Sequence, residues 1–209
     1  MPIYTEKIRD FLAKWETTQT VAYIPCDYVV DGEKIKGKGR NFTGKGSTEH
    51  LVPIGVSGVT IATGLDLGQQ GLADLKRFGI VGDLQDQLVP YLGRTRFRAM
   101  DALQAHPLSV TESECDVIDD GVHDDYIRRA SARYNRDSVL PFDKIPGEAQ
   151  AVIVSLFYHL GSPARYPEGV WDALIAGNWR QAAKALRADD SRYYRRRVDE
   201  AALIDKVKA

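Results

Sequence analysis

The chain lacks the residue patterns that mark several large classes of enzyme. Its two cysteines, Cys26 and Cys115, are too few for a disulfide scaffold and lie in no metal-ligand cluster. The four histidines form no His-Glu-x-x-His pair, and no Gly-x-Ser-x-Gly turn occurs. These absences argue against a zinc peptidase or amidase and against a serine hydrolase of the α/β type. We therefore expect neither a metal nor an organic cofactor.

Charge and hydropathy patterning also indicate what the chain does not bind. The formal net charge of the 209 residues is −1, so bulk charge gives no reason to expect a nucleic-acid partner. No apolar run approaches the roughly 20 residues that span a bilayer, and residues 1–7 lack the basic segment and apolar stretch of a secretory signal. We expect a monomer made in the cytoplasm without stable membrane insertion. Any target outside the cytoplasm is then reached without a cleavable signal.

The N-terminal pattern predicts an amphipathic helix over residues 5–16. Its apolar positions follow the i, i+3, i+4, i+7 spacing of a helix facing a core: Ile8, Phe11, Leu12 and Trp15. Thr5 is the predicted N-cap, and Glu16 is predicted to end the helix. Strand-like residues follow and are confined to about 20–65. Within them, residues 31–58 hold seven of the 18 glycines and five of the basic residues, which favours hairpins and an exposed loop.

The remainder of the chain has helical patterns. Thr111 and Glu114 form a capping box that opens a helix, and its acidic residues are interpreted as a solvated face: Glu112, Glu114, Asp116, Asp119, Asp120, Asp124 and Asp125. A strongly apolar helix is predicted between Pro146 and Gly161, and we expect it to be the central buried helix. Two shorter helices are predicted around 170–176 and 179–187.

The run Gly58–Gly68 carries the strongest chemical signal. A β-branched segment enters a glycine turn, which predicts that Thr60 and Asp66 lie at one rim. A hydroxyl and a carboxylate at a rim hold a water between them, and Glu16 supplies a second carboxyl group. One carboxyl that donates a proton and another that holds a water are what glycoside hydrolysis requires. Two structural interpretations stay open: Asp66 as the N-cap of a helix near Gln69, and Glu16 as a solvated residue.

These residues resemble motifs of the phage-type lysozymes, and more closely those of the pesticin-like muramidases that share their fold. Glu16 follows Trp15 at the helix end, and Tyr23 comes seven residues later, as in that family. Thr60-Ile-Ala-Thr-Gly64 is similar to the family's Thr-Ile-Gly-x-Gly strand. The whole Gly58–Gly68 run resembles the longer Gly-Val-Thr-Ile-Gly-x-Gly-x-Asp-Leu-Gly run of the pesticin-like branch. The closing helices around 178–186 and 191–197 also look like those of the family.

The chain departs from the phage-type pattern at several positions. The residue after Glu16 is Thr17 rather than glycine, and the first glycine after Thr-Ile is Ala62. The phage-type catalytic aspartate, nine residues after the glutamate, is Pro25 here, with Asp27 as the nearest carboxylate. The pesticin-like arrangement places an aspartate six residues after the threonine, as Asp66 is. We therefore assign Asp66 and keep Asp27 as its competitor.

The resemblance implies an α+β, lysozyme-like fold. It predicts a single domain over residues 1–209. A small antiparallel β lobe at about 17–66 is inserted after the first helix, and a mostly helical lobe comprises about 1–16 and 67–209. The implied activity is hydrolysis of the β-1,4 bond between N-acetylmuramic acid and N-acetylglucosamine in peptidoglycan. Glu16 is the expected acid, Thr60 and Asp66 orient water, and Tyr23 binds substrate. We favour an inverting over a retaining outcome.

Other functions remain as alternatives. A catalytically inactive peptidoglycan-binding module of the same fold is the first. A basic surface over 178–208, with nine basic and five acidic residues, is the second, and binding of nucleic acid there would weaken with salt. Ion pairing with the acidic face of 112–125 is the simpler interpretation. The expected place of action is the periplasm or cell wall of target bacteria, as an effector, a bacteriocin-type domain or a prophage endolysin. An immunity protein or secretion carrier would then be a partner.

Overall fold

The computed structural model describes residues 3–191 and 193–207, which form two compact units. One unit combines Met1–Trp15 with His123–Ala209, and the other is Glu16–Val122. Within the described residues the chain has nine α-helices and six strands in antiparallel pairs, which confirms the α+β prediction. No helix in this part of the chain is long and apolar enough to cross a membrane.

The unit Glu16–Val122 contains the sheet, three short α-helices and two 3-10 turns. Its strands are β1 (Gln19–Val30), β2 (Glu33–Lys34), β3 (Arg40–Phe42), β4 (Leu51–Pro53), β5 (Thr60–Ala62) and β6 (Leu65–Asp66). A 3-10 turn over Leu67–Gln69 follows, then α2 (Leu72–Arg77), α3 (Gly82–Leu88), a second 3-10 turn over Val89–Tyr91 and α4 (Arg96–Ala105). Helix α5 (Glu112–Asp137) begins in this unit.

Strand β1 organises the sheet because four of the other five strands pair with it. Its alternate residues Ala22, Ile24 and Cys26 are buried, as period-2 burial of one face requires. The glycine-rich stretch 31–58 forms the predicted hairpins around this strand. Phe42 and Leu51, at 2% and 3% exposure, fix it to the core. The stretch is therefore more firmly held than its composition indicated.

The other unit is helical in its described residues. Its helices are α1 (Thr5–Ala13), the C-terminal part of α5, α6 (Gly147–Leu160), α7 (Val170–Ile175), α8 (Trp179–Arg187) and α9 (Tyr194–Ile204). Helix α6 is buried at every position from 149 to 157. It follows Pro146 and ends at Gly161, whose φ of 74° suits glycine. The predictions of a central buried helix and of two shorter helices after it are therefore confirmed.

The predicted end of the first helix was wrong. Helix α1 ends at Ala13, and its N-cap is Tyr4 rather than Thr5. The Trp15 amide bonds the Leu12 carbonyl at 2.9 Å, an i to i−3 bond that closes the last turn tightly. The β-branched residues after Glu16 favour the extended chain that enters β1. Glu16 therefore lies in a connecting segment beyond the helix.

Helix α5 begins at the predicted capping box, but its acidic face is not solvated throughout. Thr111 and Glu114 form the reciprocal capping box, with Glu114 N to Thr111 Oγ at 3.2 Å and Thr111 N to Glu114 Oε2 at 2.8 Å. Hydrogen bonds from Thr111 lower the pKa of Glu114. Asp119 is half-buried and Asp125 is only 3% exposed. The interpretation of the whole face as solvated surface was therefore wrong at these two positions.

The basic C-terminal segment contributes to the core of its unit. Arg197 is 1% exposed and its Nη1 lies 2.8 Å from Oε2 of the fully buried Glu200. Arg187 pairs with Asp205. The acidic partners seen for these two arginines lie in the same segment rather than in the face of 112–125, and Nη2 of Arg197 also lies 2.9 Å from His159 Nδ1 on α6. Two of the nine basic residues counted there, Arg192 and Lys208, lie outside the described residues.

Candidate active site

Three of the predicted site residues stand in one row across three strands. Tyr23 of β1 is the register partner of Thr60 of β5, and Thr60 is the partner of Asp66 of β6. Directly opposed residues of antiparallel strands project from the same face, with Cβ atoms about 4.5–5.5 Å apart. Thr60 therefore has Tyr23 on one side of the row and Asp66 on the other.

A register shift in β1, between Gln19 and Tyr23, determines which residue of β1 lies opposite Thr60. Gln19 pairs with Ala62 and Tyr23 with Thr60, so β1 uses four steps where β5 uses two. The extra residues bond a different segment, because Ala22 N donates to Leu108 O at 3.0 Å. A bulge of this kind bends a strand and re-aims its side chains. It lets Tyr23 lie opposite Thr60 although the spacing from Gln19 is uneven.

The Asp66 carboxylate is held by backbone amides. Its Oδ1 accepts from Gly58 N at 3.0 Å and from Gly68 N at 2.9 Å, and Oδ2 accepts from Gly58 N at 3.2 Å. Burial raises the pKa of Asp66, while the amide bonds from Gly58, Gly68 and Gln69 act to lower it. Asp66 therefore does cap the 3-10 turn at Leu67–Gln69, a turn that begins two residues before the position predicted for the helix.

The glycines that bracket the run have a packing reason. A Cβ on Gly58 would lie 2.5 Å from Gly68 Cα, and a Cβ on Gly68 would lie 2.5 Å from Arg94 O. Both distances are too short for any side chain, so two backbone segments meet here. This contact brings Gly58 N and Gly68 N to the same carboxylate. Glycine is therefore required at positions 58 and 68 so that both backbone amides can reach the Asp66 carboxylate.

The Glu16 carboxylate lies beside the turn that joins β5 to β6. A Cβ built on Gly64 would lie 3.9 Å from Glu16 Oε2. Burial raises the pKa of the Tyr23 phenol, and the charges of Glu16 and Asp66 raise it further. The charges of both carboxylates therefore act on the same phenol, so Glu16, Tyr23 and Asp66 lie close to one another and to Thr60. Thr60 itself is 7% exposed, and its hydroxyl makes one long contact, 3.5 Å to Gly58 O.

Asp27 lies elsewhere on β1. It pairs with Val52 of β4 and forms an ion pair of 2.5 Å with Lys34 Nζ. Four residues separate it from Tyr23, which corresponds to about 13 Å along a strand. Glu49, another carboxylate of the glycine-rich stretch, is largely exposed beside His50. The structure therefore groups Asp66 and Glu16, and not Asp27, around Tyr23.

One polar contact near this group was missed by the sequence analysis. Asp119 Oδ1 accepts from Thr63 N at 3.0 Å and from Thr63 Oγ1 at 2.6 Å. The signal was present, since Asp119 lies between Cys115 (i−4) and Val122 (i+3), both buried. An acid within an apolar stripe requires a buried partner.

A family model described as "Pesticin: Bacterial toxin homologue of phage lysozyme, C-term" matches residues 36–180, about two thirds of the chain. The match includes the Gly58–Gly68 run with Thr60 and Asp66. Glu16 and Tyr23 precede the matched range. Among curated proteins, none matches the chain.

Proposed function

We propose, because the chain belongs to the pesticin family of bacterial toxins homologous to phage lysozyme, that it is an N-acetylmuramidase. Its substrate would be the glycan strand of peptidoglycan, cleaved at the β-1,4 bond between N-acetylmuramic acid and N-acetylglucosamine. The observation that carries this proposal is the row Tyr23–Thr60–Asp66, with the charges of both Glu16 and Asp66 acting on one phenol. Two carboxyl groups around one sugar-binding position suit glycoside hydrolysis.

Glu16 is the proposed general acid. It donates its proton to the glycosidic oxygen as the bond to the leaving sugar breaks, a transfer that typically contributes 10²–10⁴-fold. Gly64 beside it carries no side chain, which leaves room for substrate next to Oε2. Tyr23, half-buried in the row, would contact the sugar and present its hydroxyl as a hydrogen-bond partner.

Asp66 and Thr60 are proposed to hold the attacking water. Asp66 and Thr60 are register partners on neighbouring strands, so a carboxylate and a hydroxyl lie in the same row, and a water bound between them would be the attacking group. Burial makes Asp66 a stronger base than a solvated aspartate. A water held in this way attacks from the face opposite the leaving group, so we propose inversion at the anomeric carbon.

Digestion of purified peptidoglycan tests the proposal. Mass spectrometry should find fragments with N-acetylmuramic acid at the reducing end, and Glu16→Gln should abolish their release. Proton NMR of the first product formed should show the α anomer. Reducing-end N-acetylglucosamine would contradict the proposed bond, and an initial β anomer would contradict inversion.

A catalytically inactive peptidoglycan-binding module is the second candidate. The observation that favours it is the structural role of Asp66, since a cap and a tie to Gly58 explain this carboxylate without chemistry. The same digestion separates the two. Sedimentation with sacculi without release of fragments, by wild type and Glu16→Gln alike, would support the binding module.

We propose an antibacterial setting for the activity. Expression directed to the bacterial periplasm should be toxic and cytoplasmic expression tolerated, because peptidoglycan lies outside the inner membrane. Glu16→Gln directed to the periplasm is the matched control. Equal toxicity in both compartments would contradict a cell-wall target. A cognate immunity protein, if the chain is a toxin, would suppress the periplasmic effect when co-expressed.

A further inference from the structure

Helix α5 is attached to the turn of the β5–β6 hairpin through one carboxylate. Asp119 Oδ1 receives two hydrogen bonds from Thr63, one from its amide at 3.0 Å and one from its hydroxyl at 2.6 Å. Thr63 is buried, at 6% exposure. Removal of the Asp119 carboxylate would therefore take a hydrogen-bond acceptor away from a buried amide. Loss of two hydrogen bonds at a buried position is costly, so the turn would shift.

The same face of α5 contacts the start of β1. Cys115, one helical turn before Asp119, lies with its Sγ 3.6 Å from Gln19 O. Gln19 is the register partner of Ala62, which precedes Thr63. Cys115 and Asp119 therefore contact two neighbouring points of the sheet, one on β1 and one on the hairpin turn. Residues i and i+4 of a helix share a face, so a single rigid element sets both points.

Glu16 lies close to both of these contact points. It is three residues before Gln19 in the chain, and its Oε2 lies 3.9 Å from the position that a Cβ of Gly64 would occupy. Gly64 directly follows Thr63. A movement of the Ala62–Gly64 turn would therefore change the surroundings of the Glu16 carboxyl. Ala62 has φ 53°, which is costly for a residue with a side chain, so its neighbours must hold this turn in place.

We infer that Asp119 is a positioning residue for Glu16. By holding Thr63, it fixes the hairpin turn against which the proposed acid is aligned with the glycosidic oxygen. The inference rests on the proposed function and adds to it a residue that never contacts substrate. A misplacement of about 1 Å can cost 10²-fold in rate, so loss of the Thr63 bonds lowers kcat far more than it alters KM.

Steady-state kinetics on a soluble peptidoglycan oligosaccharide, well below the melting temperature of each variant, test the inference. Asp119→Ala should lower kcat about 10–100-fold and change KM by less than about threefold. Asp119→Asn keeps an Oδ1 acceptor and should recover kcat to within about threefold of wild type. Asp116→Ala is the matched control, because Asp116 is an exposed acid on the same helix, and it should leave both constants unchanged.

A kcat of Asp119→Ala equal to that of wild type would overturn the inference, as would an Asp119→Asn protein no better than Asp119→Ala. If Asp119→Ala does not fold, Thr63→Val removes only the hydroxyl bond and should still lower kcat several-fold at constant KM. A Thr63→Val protein with wild-type kcat would then count against it. Absence of cleavage by the wild type would instead contradict the proposed function, so the two failures are distinguishable.

Discussion

Asp66 combines a structural role with a proposed chemical one, and two substitutions separate them. Asp66→Asn keeps the shape of the side chain and an Oδ1 acceptor but removes the negative charge. Asp66→Ala removes every acceptor. The amides of Gly58 and Gly68 donate to this side chain, and the Gln69 amide also bonds it, so the two variants differ in how many of these donors remain satisfied.

The stability effects follow from those contacts. In Asp66→Asn, Oδ1 can still accept from Gly58 N and Gly68 N, whereas the 3.2 Å contact of Gly58 N to Oδ2 is lost because an NH2 group replaces that oxygen. Asp66→Asn also removes a carboxylate charge that burial disfavours, as the raised pKa of Asp66 shows. We expect a change of less than about 1 kcal/mol in the free energy of unfolding. Asp66→Ala loses a cap, about 0.5–2 kcal/mol, and leaves two donors unpaired, so about 2–4 kcal/mol is expected.

The activity effects should follow a different order. If Asp66 is the base that orients the water, Asp66→Asn lowers kcat by about 10²–10⁴-fold although the protein stays folded. Asp27→Asn, on strand β1 of the same sheet, is the matched control, and loss of a carboxylate outside the chemistry should cost less than about tenfold in rate. Denaturant unfolding followed by circular dichroism gives the stabilities, and release of reducing ends from peptidoglycan gives the rates.

Two results would refute this reasoning. If Asp66→Asn is fully active and Asp27→Asn is inactive, Asp27 is the second catalytic carboxylate, as in the phage-type arrangement, and Glu16 is still the acid. Loss of activity in strict proportion to loss of stability, in both Asp66 variants, would show that the carboxylate acts only as a cap.

Two further substitutions test the packing and the buried charge. Gly68→Ala should destabilise the fold by about 2–3 kcal/mol or more, because its Cβ would lie 2.5 Å from Arg94 O; Gly71→Ala, whose Cβ meets only an ordinary 3.6 Å contact, should change thermal unfolding little. Burial raises the pKa of Glu200 to about 7. A carboxyl group whose pKa is raised in the folded state stabilises the fold fully below the unfolded pKa near 4.5, and this contribution is lost as pH rises through 7. The free energy of unfolding of wild type should therefore fall by about 1–3 kcal/mol relative to that of Glu200→Gln over this pH range. A pH-independent difference between these two proteins would contradict the shift.

Much of the fold was predictable because local signals and burial agree. The apolar helix between Pro146 and Gly161 has a strong start signal, a strong stop signal and a buried circumference, and it forms as predicted. The Gly58–Gly68 run was predicted for a similar reason, since its glycines bracket a short β-branched strand. The family match over 36–180 confirms the lysozyme-like part of the fold class as well.

The errors have physical causes that a single sequence conceals. Helix α1 ends at Ala13 because the residues around Glu16 are drawn into the approach to β1, although the apolar spacing continues to Trp15. The bulge between Gln19 and Tyr23 depends on bonds to residues about ninety positions later, as does the contact of Asp119 with Thr63 over 56 positions. The spacing of a segment can indicate that a residue such as Asp119 is buried, but it does not show which distant residue that side chain contacts.

The central place of β1 in its sheet has a consequence for how that sheet forms during folding. The strands β2, β3, β4 and β5 each have only two or three residues, too few to form a stable pair by themselves. Strands β2, β3 and β4 gain their ladder hydrogen bonds only when β1 is already extended beside them, and β5 has only the two-residue β6 as its other partner. The sheet should therefore assemble in a single cooperative step. The last of these pairings, with β5, closes a loop of some forty residues, an entropic cost that grows slowly with length. Amides of β1 should accordingly be among the slowest in this unit to exchange with solvent, since opening that strand releases its four partners together.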